Sequence, residues 1–100
     1  MQGQTRVSAP DRNLMINVRV LDETRVLFDG EGERVYFPGK EGEFEVAQNH
    51  APVLSLLQKG TIIITGADAQ VRTRTTRIPI ACGIMKGEHN RVLVIVECTI

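Results

Sequence analysis

From Met15 to Leu21 the apolar side chains Ile16, Val18 and Val20 alternate with Asn17 and Arg19, the two-residue period of a strand with one buried face. Asp22-Glu23-Thr24 is the turn that follows. Arg25-Val26-Leu27-Phe28 predicts a second short strand, and Asp29-Gly30-Glu31-Gly32 predicts a tight turn, because glycine adopts positive backbone angles without a steric penalty. Glu33 to Phe37 is strand-like until Pro38-Gly39, a dipeptide that cannot continue a ladder. The stretch from Gly39 to Pro52 opens with a glycine-bounded charged turn. It continues through a strand in which Phe44 and Val46 alternate with Glu43 and Glu45, and closes on a polar turn ending in Ala51-Pro52.

Val53 to Leu57 is an apolar segment broken by Lys59-Gly60. Thr61 to Thr65 encloses three isoleucines, β-branched on both faces, which fits a strand covered on both sides or lying against a partner. Beyond a turn at Gly66-Ala67-Asp68, Val71, Thr73 and Thr75 alternate with Arg72, Arg74 and Thr76. Ile78 to Ile84 and Arg91 to Glu97 are the last two predicted strands, joined near Glu88-His89-Asn90. No segment keeps helical spacing over three turns, and turn signals recur at intervals of about eight to twelve residues. Nine or so short strands in so small a chain bury their apolar faces best as two stacked sheets. The expected fold is therefore all-β, a β-sandwich or flattened barrel in one domain. Residues 1–13 show no apolar period and are expected to form a flexible leader; the domain then spans 14–98, with 99–100 as its C-terminal end.

Composition narrows the function classes. One hundred residues make one core, and twelve basic against twelve acidic side chains leave no overall field to draw the chain onto nucleic acid or an anionic membrane. No run of eighteen apolar residues appears, so a spanning helix is not expected. Nor does the N-terminus read as a secretory signal. Cys82 and Cys98 sit in strand-like apolar runs. A two-residue His89-Asn90 loop places Cys82 opposite Glu97 and Ala81 opposite Cys98, with the sulfurs on opposite faces of the sheet, and no disulfide is expected.

Candidate chemistry is sparse. Glu41, Glu43 and Glu45 share parity and could converge on a hard cation, but no aspartate-rich loop supplies further oxygens, so a solvated strand face is the expectation and no metal is assigned. His50 and His89 lack metal-ligand spacing, and His50 has no identifiable nucleophile or orienting acid beside it. No catalytic residue and no cofactor are assigned. Arg72, Arg74 and Arg77 form a candidate basic stripe, but no stacking aromatic accompanies it, so a solvated face is expected. No GxxxxGK loop is present to cradle phosphates.

The order of motifs says more than any one of them. Leu21 to Gly30 (LDETRVLFDG), Val35 to Phe44 (VYFPGKEGEF), Asn49 to Leu54 (NHAPVL) and Leu57 to Gly60 (LQKG) together resemble the N-terminal domain of the epsilon subunit of F-type ATP synthase. The resemblance covers about Leu14 to Glu97. It implies a flattened β-sandwich of about ten strands, attached to the foot of the rotating gamma subunit and seated on the membrane-embedded c-ring. The implied role is that of a central-stalk rotor subunit, not catalytic by itself, which helps transmit torque in a proton- or sodium-translocating synthase. The location it implies is peripheral, on the cytoplasmic face of a bacterial membrane or the stromal face of a thylakoid, with no direct membrane insertion and a monomer when isolated.

Residue by residue, the resemblance implies c-ring contacts at Glu41, Gly42 and Glu43, with Glu43 foremost and basic or amide groups of the c loops as its partners. Asp22, His50, Ala51 and Pro52 are the implied gamma contacts. Two positions depart from the family pattern: Gln48-Asn49 replaces a common Pro-Gly, and Ala81-Cys82-Gly83 replaces a frequent Ser-Gly-Gly. Asparagine tolerates the left-handed conformation that glycine supplies at the first of these. Many members continue into a C-terminal two-helix hairpin that binds ATP or inhibits hydrolysis; here the chain stops at Ile100, so neither role is expected of it. The alternative reading is a stand-alone β-sandwich binding a protein or carbohydrate, which would need an exposed aromatic platform built from Phe28, Tyr36, Phe37 and Phe44. A small hydrolase would need the missing nucleophile and base.

Overall fold

The computed structural model of the chain describes residues 15–67 and 73–98. Their alternating stretches become β1 (Ile16–Leu21), β2 (Val26–Gly32), β3 (Arg34–Phe37), β4 (Phe44–Ala47), β5 (Val53–Leu57), β6 (Gly60–Ala67), β7 (Thr73–Glu88) and β8 (Arg91–Cys98). The described residues thus hold eight strands, fewer than the nine or ten expected. The leader expected over residues 1–13 lies outside them.

The strands follow the order β2-β1-β8-β7-β6-β3-β4, with β5 added to β7. Sixteen-residue β7 is the reason this makes two layers. Its first half, Thr73 to Ile80, pairs with β6, while the second half, from Cys82 to Glu88, pairs with β8 and, over Gly83 to Gly87, with β5 on its other side. Between the halves the register with β8 slips at Ala81, a bulge that bends the strand from one layer into the other. One layer is therefore β2-β1-β8-β7-β5 and the other β7-β6-β3-β4. Their inner faces meet in a single core.

Several expectations are corrected by this arrangement. The two strands expected over Val71 to Ile84 are one from Thr73 onward, even though Pro79 lies within it. Among the described residues Pro79 has a ladder partner on one side only, Thr61 of β6, the setting in which a strand tolerates proline. Cys82 does face Glu97, but the bulge moves Cys98 opposite Ile80 rather than Ala81. Both thiols are free. The turn expected at Asp29-Gly30-Glu31-Gly32 is strand, laddered to β1 through Val18–Gly30 and Ile16–Gly32. Its glycine serves close approach instead: a Cβ on Gly32 would stand 2.9 Å from the Ile64 side chain, where β2 crosses β6 at the corner of the sandwich. The solvated face expected of the arginines holds where they are described, since Arg74 and Arg77 are both exposed. Arg74 and Arg77 are three apart on a regularly paired strand and so face opposite ways, and Arg72 lies outside the described residues.

Ile16, Val18 and Val20 from β1 and Val92, Val94 and Val96 from β8 pack against Val35, Phe37, Ile62 and Ile64 of the other layer. Each such side chain, fully buried, contributes about 1.5–3 kcal/mol of transfer free energy. No polar or charged side chain is buried among the described residues. Phe37 is the largest fully buried side chain, and its ring stacks on Phe44 with centroids 5.4 Å apart. This pair fixes β3 to β4 beside the charged turn.

Candidate docking surfaces

The charged turn between β3 and β4 is built from its backbone outward. Gly42 N–H donates to the Gly39 carbonyl at 3.1 Å, closing the turn, and Lys40 N–H donates to the Leu56 carbonyl at 2.8 Å, tying it to β5. Gly39 is required because a Cβ there would lie 2.5 Å from the Gly42 oxygen, and Gly42 holds a positive φ of 133°. Glu41, Gly42 and Glu43 are all exposed. The Tyr36 hydroxyl donates to the Glu43 carboxylate, and that bond, with desolvation and the carboxylate charge, pushes the phenol pKa up. Glu43 is thereby anchored while remaining exposed.

The polar turn at the other end of β4 packs against the β7–β8 hairpin. Asn49 takes a left-handed φ of 62°, the conformation that asparagine was expected to tolerate there, and its N–H donates to Asn90 Oδ1 at 2.7 Å. His89 and Asn90 are both left-handed, as a two-residue hairpin loop requires. His50 Nδ1 lies 2.9 Å from the Ala51 carbonyl; a carbonyl only accepts, so Nδ1 carries the proton and Nε2 is the acceptor, buried and unpartnered. The ring covers Gly87, where a Cβ would come within 2.9 Å of it. His50 is thus a packed residue that seats the turn, while Ala51 and Pro52 stay exposed.

Asp22 lies elsewhere. It caps the β1–β2 turn, its Oδ1 accepting from Thr24 N–H at 2.8 Å, Arg25 N–H at 2.9 Å and the Thr24 hydroxyl at 3.0 Å. The Thr24 N–H is the main cause holding its carboxyl below the ordinary carboxylate range; the Arg25 N–H, the Thr24 hydroxyl and the Arg25 charge add to it and desolvation opposes it. With the folded pKa lowered, the stabilisation it gives is complete above the unfolded carboxylate pKa and is lost as pH falls through the folded one. In Asp22→Asn the melting temperature should therefore fall by a constant amount from neutral pH down to about pH 5, and that deficit should shrink below about pH 4. A deficit independent of pH would show that the carboxylate charge plays no part. Asp22 sits on the same cleft as Lys40, Cys82 and Glu97, at the charged-turn end of β5, whereas His50 sits at the opposite end. The four implied gamma contacts therefore do not form one cluster.

What lies between these ends was not anticipated. On the outer face of the five-stranded layer, Leu56 pairs with Ile84, Ile84 with Ile95, Ile95 with Leu21 and Leu21 with Val26, an unbroken apolar line across five strands. Leu56, Ile84, Ile95 and Val26 are 40–56% exposed, and Leu54 at 69% and Leu93 at 42% widen the line on one side. At about 4.8 Å per strand the line is about 19 Å long. The signal was present in the Arg91–Cys98 sequence, where Leu93 and Ile95 put apolar residues on the face opposite Val92, Val94 and Val96. An antiparallel strand with one wet face would carry polar residues at those positions. Cys82, at the margin, has its thiol pKa pushed up by desolvation and then by the Glu97 carboxylate, with the Lys40 charge opposing.

Comparison with known proteins gives this geometry a family. The model described as ATP synthase, Delta/Epsilon chain, beta-sandwich domain matches residues 15–100. The chain belongs to that family. ATP synthase epsilon chains are among its relatives: that of Sulfurimonas denitrificans is 32% identical over 82 residues, and that of Campylobacter jejuni strain RM1221 is 33% identical over 85. These alignments take in 82% and 85% of this chain but 60% and 63% of the relatives, so the chain spans about three-fifths of their length. The fold recurs in a chain of the Euglena gracilis mitochondrial ATP synthase (TM-score 0.71, 14% identity, 94% of this chain and 54% of that one). It recurs also in the central stalk/c-ring structure of the Tetrahymena thermophila enzyme (TM-score 0.63, 13% identity, 81% and 62%). The resemblance read from the sequence is thus borne out at the level of family, and the all-β sandwich with it.

Proposed function

We propose that this ATP synthase delta/epsilon-type sandwich is a rotor part of the central stalk, not catalytic itself, that joins the gamma subunit to the c-ring and helps carry torque between them. The observation that carries the reading is the apolar line on the outer sheet of a family member. A contiguous apolar surface of this kind marks a place where another protein sits. Gamma is the occupant assigned to it, with Ala51 and Pro52 at one end and Asp22 at the other as rim positions. The Glu41-Gly42-Glu43 turn, exposed and pinned by Tyr36 and Leu56, is assigned to the polar loops of the c-ring. Proton or sodium flow would then reach gamma through a preformed block, peripheral to the membrane and held there by the ring. The stand-alone binding module is disfavoured because its aromatic platform is missing: Phe37 is fully buried, Phe28 and Phe44 pack on the core, and Tyr36 is bonded to Glu43.

Co-purification with the gamma subunit and c-ring of the same organism tests the reading. Glu43→Lys is expected to lower c-ring retention about tenfold, the cost of removing one charge-assisted contact and adding a repulsive one, while leaving gamma binding unchanged. Undiminished retention of the ring by that variant would remove the turn from the c-ring interface. Failure of the unmodified chain to bind gamma would end the central-stalk reading.

A further inference from the structure

The apolar line is flanked by charges of opposite sign, and an apolar line alone cannot tell its occupant which way to lie. Burial is non-directional, so an amphipathic helix laid along it could be turned end for end and bury the same area. The flanks break that symmetry. On one side stand Arg19, Lys86 and Arg91, around a shallow cleft. Of the acids there, Asp29 is 3.7 Å from Arg19 and Glu88 is 3.3 Å from His89, whereas Lys86 and Arg91 have no ion-pair partner among the described residues. Glu97, Asp22 and Glu23 stand on the other side, with Lys40 at the rim. Asp22 is committed to its turn, which leaves Glu97, lightly held by the Cys82 thiol at 3.6 Å, and Glu23 to face a partner. The row holding Lys86 and the row holding Glu97 lie four residues apart along β7 and β8, about 13 Å, the diameter of one helix with its side chains.

We infer that the face takes one amphipathic helix of the gamma subunit, laid across the strands, with its basic flank over Glu97 and Glu23 and its acidic flank over Lys86 and Arg91, and that these four charges set its direction. The inference rests on the docking reading above and adds to it the orientation and chemistry of the docked segment. Complementary rim charges act mainly on association rate and on the exclusion of wrong arrangements, so they choose a direction while the apolar line supplies affinity.

Association of the chain with purified gamma subunit should be followed at about 50 and 300 mM salt, with thermal melts of every variant as a folding control. Unmodified chain should associate more slowly at the higher salt. Lys86→Glu combined with Arg91→Glu, and separately Glu97→Lys, are each expected to slow association about tenfold at low salt and to flatten the salt dependence. If both bind at the unmodified rate while Ile84→Asp abolishes binding, the charges do not set direction and the inference is overturned, with the docking reading intact. If Ile84→Asp binds like the unmodified chain, the docking reading itself fails. Self-association of the chain that Ile84→Asp removes would give the face to a second copy, and that too would overturn the inference.

Discussion

Phe37→Ala should cost about 3–5 kcal/mol of unfolding free energy, the range for deleting a large aromatic from a packed core. Phe37 is fully buried, the largest side chain so placed, and its ring stacks on Phe44 across the β3–β4 pair. Removing it leaves a cavity in the layer that carries the charged turn, and the neighbouring Val35 and Ile62 are β-branched and too stiff to fill it. A domain of this size is stable by about 5–15 kcal/mol, so the loss is a large share of the total. At about 4–8 °C per kcal/mol the melting temperature should drop by about 12 °C or more. Urea titration is the cleaner measurement: the midpoint should fall with the slope unchanged. A loss under about 1 kcal/mol would show that the layers collapse onto the vacancy and that Phe37 is not the keystone of its sheet.

Ile84→Asp should separate folding from docking. Ile84 is 40% exposed at the centre of the outer apolar line, flanked by Leu56 and Ile95, so a carboxylate there meets water in the isolated chain. Stability should change by about 1 kcal/mol or less, the span of strand preference. In a complex the same carboxylate would be desolvated without a partner, and affinity for gamma should fall by about a hundredfold or more. Calorimetric titration with purified gamma subunit measures this, and Ile84→Thr, which keeps the β-branch, should fall between the two. Unchanged affinity in the aspartate variant would mean that gamma sits elsewhere.

The strands were legible wherever one face is polar and one apolar. β1, β4 and the buried positions of β8 follow directly from alternation, as in Ile16-Asn17-Val18-Arg19-Val20. The sequence misleads where a residue serves tertiary geometry. Gly30 and Gly32 look like a turn, yet both are strand residues, and Gly32 is thinned so that β2 can pass Ile64 of β6. The bulge at Ala81 has no local signature, because Ala81-Cys82-Gly83 is equally compatible with a straight strand; it exists because one strand must serve two layers. The motif order sufficed for the family, since it depends on spacing along the chain. Placement of the candidate contacts needed the fold. Nothing in Asp22 or His50 says that they lie at opposite ends of β5, or that His50 spends its ring on Gly87.

β7 also bears on how the domain deforms when pushed. The two layers are continuous through the peptide chain at Ala81, so sliding one layer along the strands past the other must bend or stretch covalent backbone at the bulge. Among the described strands, peeling β2, β4 or β5 from an edge meets only hydrogen bonds and side-chain packing. The domain is accordingly stiffest along its middle and most compliant at those edges. A twisting load entering through the outer sheet at Ile84 is passed by β7 into the layer that holds the charged turn, and excess strain is shed first by fraying of the edge strands.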